Sequence, residues 1–133
     1  MISVELFKKE HLDQIQVQQR QTREEMGEEL KNATLFTLFD GDKVQAIIGF
    51  VRQTKTRVVA VSLLAQDCGR NMVSIVRAMK RCIRVYQTER VEMLVKTDFP
   101  QAHRLAKILG FEREGTLRKF FEGQNYDMYA RVK

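Results

Sequence analysis

Several residue types that define whole protein classes are scarce in this chain. Its 133 residues include 2 cysteines, 2 histidines, 1 proline and no tryptophan. Cys68 and Cys82 make neither a disulfide framework nor a metal-ligand pattern, so no metal site is expected and a reducing cytoplasm is the expected compartment. No apolar run approaches the roughly 18 residues of a membrane-spanning helix. The longest, Val58 to Ala65, has the size of a strand, so no membrane partner is expected. The opening residues lack a basic stretch followed by a long apolar core, and no secretory signal is expected. No repeat, low-complexity segment or linker interrupts the chain, which at this length reads as one domain over residues 1–133. Aromatic residues are 8% of the total, and few interleave the basic side chains. Stacking recognition of nucleic acid needs such interleaving, so nucleic acid is not an expected partner.

What is present is globular: 44% hydrophobic and 30% charged residues. The net charge of +6 favours polyanionic ligands, whether cofactor phosphates, acidic protein surfaces or nucleic acid, without choosing among them.

Periodicity supplies the elements. Ile2, Val4 and Leu6 alternate with polar residues, as in a half-buried strand. A weakly amphipathic helix is expected over His11 to Arg20, with His11 at the surface or capping. A second helix is expected over Thr22 to Asn32, opened by a capping box of Thr22 and Glu25. Thr34 to Phe39 and Lys43 to Gln53 form a hairpin through Asp40-Gly41-Asp42. Arg57 to Leu64 is nearly continuously apolar, which predicts the most deeply buried strand. Met72 to Tyr86 carries an apolar stripe of Ile75, Met79, Cys82, Ile83 and Tyr86, with Arg77, Lys80, Arg81 and Arg84 opposite. A strand through Val91, Met93 and Val95 completes a βαβ crossover. Asp98 and Pro100 open a last helix that ends at Gly110, a left-handed C-cap, and Phe111 to Phe121 and Tyr126 to Val132 close with a hairpin through residues 122–125.

Ala102, Leu105, Leu109, Gly110, Phe111, Glu114 and Gly115 lie in the segment A-H-R-L-A-K-I-L-G-F-E-R-E-G-T-L-R. This segment resembles the last helix and sixth strand of the GNAT N-acetyltransferase superfamily. The element order β-α-α-β-β-β-α-β-α-β-β is similar to that family over the whole chain, and the C-terminal half resembles short bacteriophage-encoded GNAT-like proteins. The resemblance implies an α/β (α+β) fold with a mixed central sheet and a splayed parallel strand pair at its centre. It also implies acetyl-CoA as cofactor and an amine as acceptor.

By that resemblance the strand end Leu63, Leu64 and Ala65 would hold the pantetheine. The turn Gly69, Arg70, Asn71, Met72 and Val73 would hold the pyrophosphate at a helix N-terminus. The family's usual turn has Gln or Arg where Cys68 stands, and small residues where Asn71 and Val73 stand. Asparagine tolerates left-handed geometry, whereas the branched Val73 is expected to hinder approach of a phosphate; Gly69 offers flexibility and Arg70 a charge. Many relatives carry a proton-donating tyrosine where this chain has Ala106, and Phe99 replaces a common asparagine. The central strand Arg57 to Leu64 has no glutamate to act as base.

Candidates for the chemistry are Asp67, Cys68, Asp98, His103 and Tyr126, with Glu92 a further carboxylate near a strand end. Each has an ordinary alternative. Cys68 is a loop cysteine or an acyl-accepting thiolate, His103 an exposed helix residue or an acid–base group, and Tyr126 and Tyr129 sheet packing or a hydroxyl in the cleft. Two functions fit: an acyl-CoA-dependent N-acyltransferase, or a GNAT-fold structural module without catalysis, acting through a protein partner in a host cytoplasm or virion.

Overall fold

Gly41 adopts a φ of +62°, and this left-handed residue lets β2 (Thr34–Asp40) turn back directly into β3 (Lys43–Arg52). The computed structural model describes residues 2–15, 33–86 and 88–133. Around the β2–β3 hairpin it assembles β1 (Ile2–Leu6), β4 (Arg57–Leu64), β5 (Arg90–Lys96), β6 (Glu112–Phe121) and β7 (Gln124–Val132). The sheet has seven strands in the order β1-β2-β3-β4-β5-β7-β6, and only the β4–β5 pair is parallel. Helices α1 (Glu10–Gln14), α2 (Met72–Tyr86) and α3 (Pro100–Ile108) complete the described elements. The mixed α+β architecture is the expected one. No described helix is long and apolar enough to cross a membrane.

Period-3.6 patterning decides how α2 sits. Ile75, Ala78, Met79, Cys82 and Ile83 are buried, while Arg77, Lys80, Arg81 and Arg84 stay exposed. Tyr86 stacks on Phe50 of β3 with ring centroids 4.6 Å apart, which fixes α2 over the face of the sheet that carries Ile48, Phe50 and Ala60. Each fully buried side chain of this kind contributes roughly 1.5–3 kcal/mol. The C-terminal end of α3 reaches the same face, where Leu109 meets Met79, Ile83 and Met93 around a small void.

α3 stops as its sequence demands. Gly110 has φ +89°, its N–H donates to the Lys107 carbonyl at 3.0 Å, and the Phe111 N–H donates to the Ala106 carbonyl at 3.0 Å. Phe111 is thereby delivered into the core. At the other end, Phe99 is the N-cap and Pro100 takes the first turn; Asp98 contributes no cap and lies 3.9 Å from Lys96 instead.

Several expectations change here. β1 forms, but as a sheet edge, with Val4 and Leu6 exposed rather than half-buried. α1 covers only Glu10–Gln14, because Ile15 is extended and turns into the core; the rest of the expected first helix and all of the second lie outside the described residues. His11 is buried, not a surface residue: its Nδ1 accepts the Lys8 N–H at 3.0 Å and lies 2.7 Å from the Thr37 hydroxyl. Thr37 is fully buried, and a hydroxyl in that position needs a partner. β3, not β4, is the strand covered on both faces, from Val44 to Phe50. One face of β4 is only half covered, because it opens onto the cleft described below. The closing hairpin turns on Glu122 and Gly123 alone, both left-handed, so β7 begins at Gln124.

Candidate functional site

The parallel ladder between β4 and β5 is short. It runs from Arg57–Arg90 to Ala60–Met93 and then stops, although both strands continue, β4 to Leu64 and β5 to Lys96. The expected splayed pair is therefore present. Hydrogen-bond alternation tells which peptide groups face the gap. The Ala65 N–H bonds the Gln45 carbonyl at 2.9 Å, so β4 residues two apart from Ala65 bond β3 and those between point toward β5. The Arg90 N–H donating to the Thr56 carbonyl at 3.0 Å fits the same phase. The main-chain N–H and C=O of Ser62 and Leu64 thus lie on the side where no strand pairs with them.

That edge borders a cavity of about 980 Å³. Its walls are Ile47, Gly49 and Val61 of the sheet, the divergent ends of β4 and β5, the start of α3 around Phe99 and Ala102, and the tip of the β6–β7 hairpin. Its charged groups are mostly paired. Glu92, buried on β5, sits 2.8 Å from Arg90 Nε and 3.3 Å from Arg57 Nε, the latter close but not aligned as a hydrogen bond. Arg90 also grips Glu114, and these two carboxylates push its guanidinium still further up; Arg90 in turn holds the Glu114 carboxyl below its usual range. Tyr126 of β7 is the only tyrosine on the cavity wall among the described residues.

Solved structures share this fold. An IAA acetyltransferase from Bacillus cereus superposes with a TM-score of 0.83 at 10% identity, covering 100% of both chains. A ribosomal-protein-S18-alanine N-acetyltransferase from Escherichia coli gives 0.78 at 12%, over 99% of this chain and 94% of that one. A variant of the spermidine N-acetyltransferase from Vibrio cholerae gives 0.71 at 15%, over 98% and 93%. The fold is GNAT-like. No family model matches the chain, and no curated protein matches it in sequence.

Within this GNAT-like frame, the turn after β4 is a single 3-10 turn, Gly69–Asn71, running straight into α2. Leu63 and Leu64 line the cavity; Ala65 is buried beside β3, and residues 69–73 stand outside the wall. Asn71 does not use left-handed geometry: its side-chain amide donates to Asp40 at 3.1 Å and Gln45 at 3.0 Å, pinning the turn to the β2–β3 hairpin. Gly69 has no left-handed φ either, and Val73 is 67% exposed, its side chain in solvent.

The candidate side chains scatter. Asp67 is exposed and pairs with Lys43, which holds its carboxyl below the usual range; it is not on the cavity wall. Cys68 is fully buried, its thiol 3.6 Å from the Met72 sulfur, and burial pushes its pKa up. A reactive thiolate needs the reverse shift and access to substrate, which counts against the acyl-accepting reading of Cys68. Cys82 is core, likewise pushed up by burial. Asp98 lines the cavity. Tyr126 faces the cavity whereas Tyr129, an odd number of residues on, lies buried on the opposite face.

His103 is not on the exposed face of its helix. Its Nε2–H donates to the Thr97 carbonyl at 3.0 Å, and its Nδ1 is 2.8 Å from the Tyr129 hydroxyl. Burial raises the Tyr129 phenol, and the Asp127 charge raises it further. Burial would raise the Asp127 carboxyl too, but donors from Thr116, Arg113 and Thr97 outweigh it and bring the pKa below its usual value. This polar cluster ties α3 to β7 behind the cavity wall. Among the described residues no group of His, Cys, Asp or Glu side chains could hold a metal.

Glu92 and the hairpin aromatics Phe120 and Phe121 are the wall residues that periodicity undervalued. A carboxylate inside the alternation Val91, Met93, Val95 was a signal for the first, since it lands on the face opposite those apolar side chains.

Proposed function

We propose that the protein is an acyl-CoA-dependent N-acyltransferase that moves an acetyl group to a primary amine. The observation that carries this is the unpaired edge of Ser62 and Leu64 beside a cavity of about 980 Å³. An extended, amide-bearing chain can take the place that β5 vacates, donating to and accepting from those peptide groups. Bound there, acetyl-CoA would supply an acetyl thioester: the amine nitrogen forms the new C–N bond as the C–S bond breaks, the leaving thiolate takes a proton from Tyr126, and the proton lost by the amine passes to solvent water, which restores the phenol. GNAT-like neighbours named for ribosomal-protein-S18-alanine and for spermidine support acyl transfer to amines, and their differing names leave the amine to be read from this chain's own cavity.

The chain's residues divide the remaining work. Gly69, Arg70 and Asn71 open the helical run, where main-chain N–H groups and the helix dipole favour an anion. Arg70 is exposed and offers its charge at this turn, and the exposed Val73 follows on the first turn of α2. Ala106 is buried and has no proton to give; the Tyr126 hydroxyl on the cavity wall takes the role of donor to the leaving thiol. Glu92, committed to Arg57 and Arg90, sets the charge of the wall rather than accepting a proton.

Calorimetric titration with acetyl-CoA tests the reading, after checking that no CoA co-purifies. Micromolar binding, about −8 kcal/mol, followed by acetylation in an amine screen is the expected result. Absence of heat at millimolar ligand, in a folded protein, overturns it and leaves the structural module, of the kind the phage-like resemblance implies, in its place.

A further inference from the structure

Neighbouring residues of a strand point to opposite faces, yet Phe120 and Phe121 both line the cavity. The cause is a slip in the β6–β7 register. Leu117 pairs with Tyr126 and Phe121 with Gln124, so three residues of β6 face only Asn125 of β7. Lys119 absorbs the excess by taking a left-handed φ of +50°, and its N–H is held by the Asn125 side-chain oxygen at 2.9 Å. A non-glycine residue in that conformation is uncommon and needs its surroundings to hold it. What the distortion achieves is aromatic. Both rings meet Tyr126 edge-on, with centroids 5.9 and 6.4 Å away, so three rings cluster on the cavity wall. Phe120 remains 50% exposed and Phe121 38%. Two large apolar rings held half in water, beside a cavity, mark a recognition surface. The carboxylates of Glu122 and of Asp98, which lies 3.9 Å from the Lys96 ammonium, line the same wall.

We infer that Phe120, Phe121 and Tyr126 select the acceptor, and that the acceptor is a primary amine borne on a flat aromatic body. Ring faces and edges pack such a body, and an ammonium beside them is attracted by the ring quadrupoles and the neighbouring carboxylates. An aliphatic polyamine would leave the rings without a flat partner. The inference rests on the acyl-transfer reading of the same cavity.

Ligand-observed NMR titration of the whole chain with 2-phenylethylamine, n-butylamine and spermidine, without acyl donor, tests it. Acetylation rates on the same three amines are measured in parallel. The parent protein is expected to bind 2-phenylethylamine about tenfold more tightly than n-butylamine, as two aromatic contacts allow, and to acetylate it with the higher kcat/KM. Replacing both rings (Phe120→Ala with Phe121→Ala) should remove that preference, and Phe120→Leu with Phe121→Leu, which keeps apolar bulk, should not restore it. The rings are exposed, so unchanged thermal melting shows that the variants stay folded. Turnover of n-butylamine or spermidine with no preference for the aromatic amine overturns the inference and leaves acyl transfer standing. A ring preference in binding that the alanine variants abolish, with no turnover of any amine, supports the aromatic site and removes acyl transfer. A preference that survives in the alanine variants overturns the assignment to these rings.

Discussion

Replacing Gly110 by alanine isolates one physical effect. Gly110 follows α3 at φ +89°, and a Cβ added there would meet only the Arg131 Nε at 3.9 Å, an ordinary contact. Packing is therefore untouched, and the cost is that of a left-handed alanine, about 1–2 kcal/mol. Against this stands the smaller conformational freedom of alanine in the unfolded chain, worth roughly 0.4–1 kcal/mol. The net expectation is a destabilisation of about 1 kcal/mol, or a melting temperature lower by roughly 3–5 °C for a domain of this size. Gly69→Ala is the matched control. Nothing lies within 4 Å of its added Cβ and its φ is not left-handed, so only the unfolded-state term acts and stability should stay level or rise. Urea melts with a common m-value measure both variants. Equal losses at the two positions would refute the reasoning, since φ alone separates them. A loss above about 3 kcal/mol at Gly110 would also refute it, by showing that the packing of Phe111 moves with the cap.

Three further outcomes are expected. Arg70→Glu should weaken acetyl-CoA binding at least tenfold in calorimetry, because it places a carboxylate where the phosphates are proposed to sit; unchanged affinity would mean they lie elsewhere. Asp127 has a folded-state pKa below its unfolded value, so its stabilisation is present above the unfolded pKa of about 3.9 and is lost as pH falls through the folded pKa. The stability gap between the parent and Asp127→Asn, followed by urea melts from pH 7 downward, should hold above about pH 5 and shrink below 4; a gap independent of pH would show that shape rather than charge sets it. Cys68 and Cys82 are buried with pKa values pushed up, so a thiol reagent at pH 8 should label neither until the protein is unfolded, and rapid labelling of folded protein would restore Cys68 as a reactive group.

Local chemistry was the legible part. The α2 stripe, the turn at Gly41 and the cap at Gly110 each rest on interactions within a few residues, and the structure places them where the periodicity does. Misreadings arose where distant strands decide. The alternation of Ile2, Val4 and Leu6 marks a strand but does not reveal that β1 is an edge. The apolar run in β4 reads as full burial, yet half of it faces a cavity that exists only because β5 diverges. His103 has helical neighbours that suggest solvent, whereas Tyr129 and the Thr97 carbonyl, far away in sequence or across a turn, draw it inward.

The candidate site was the least legible for a separate reason: its main feature is backbone. The N–H and C=O groups of Ser62 and Leu64 are presented by strand phase and by the end of a ladder, and any side chains that keep β4 a strand would present them equally well. Such a feature leaves no residue signature in the sequence. Side chains are free to shape the rest of the wall around that edge, and at the β6–β7 tip, where three residues crowd opposite one, the wall becomes aromatic. Acyl-donor binding should therefore tolerate substitution of Ser62 and Leu64 by other strand-forming residues, while the choice of acceptor should follow Phe120 and Phe121. A change of acceptor preference on mutating Ser62→Val, with the hairpin intact, would break that division between backbone and side chain.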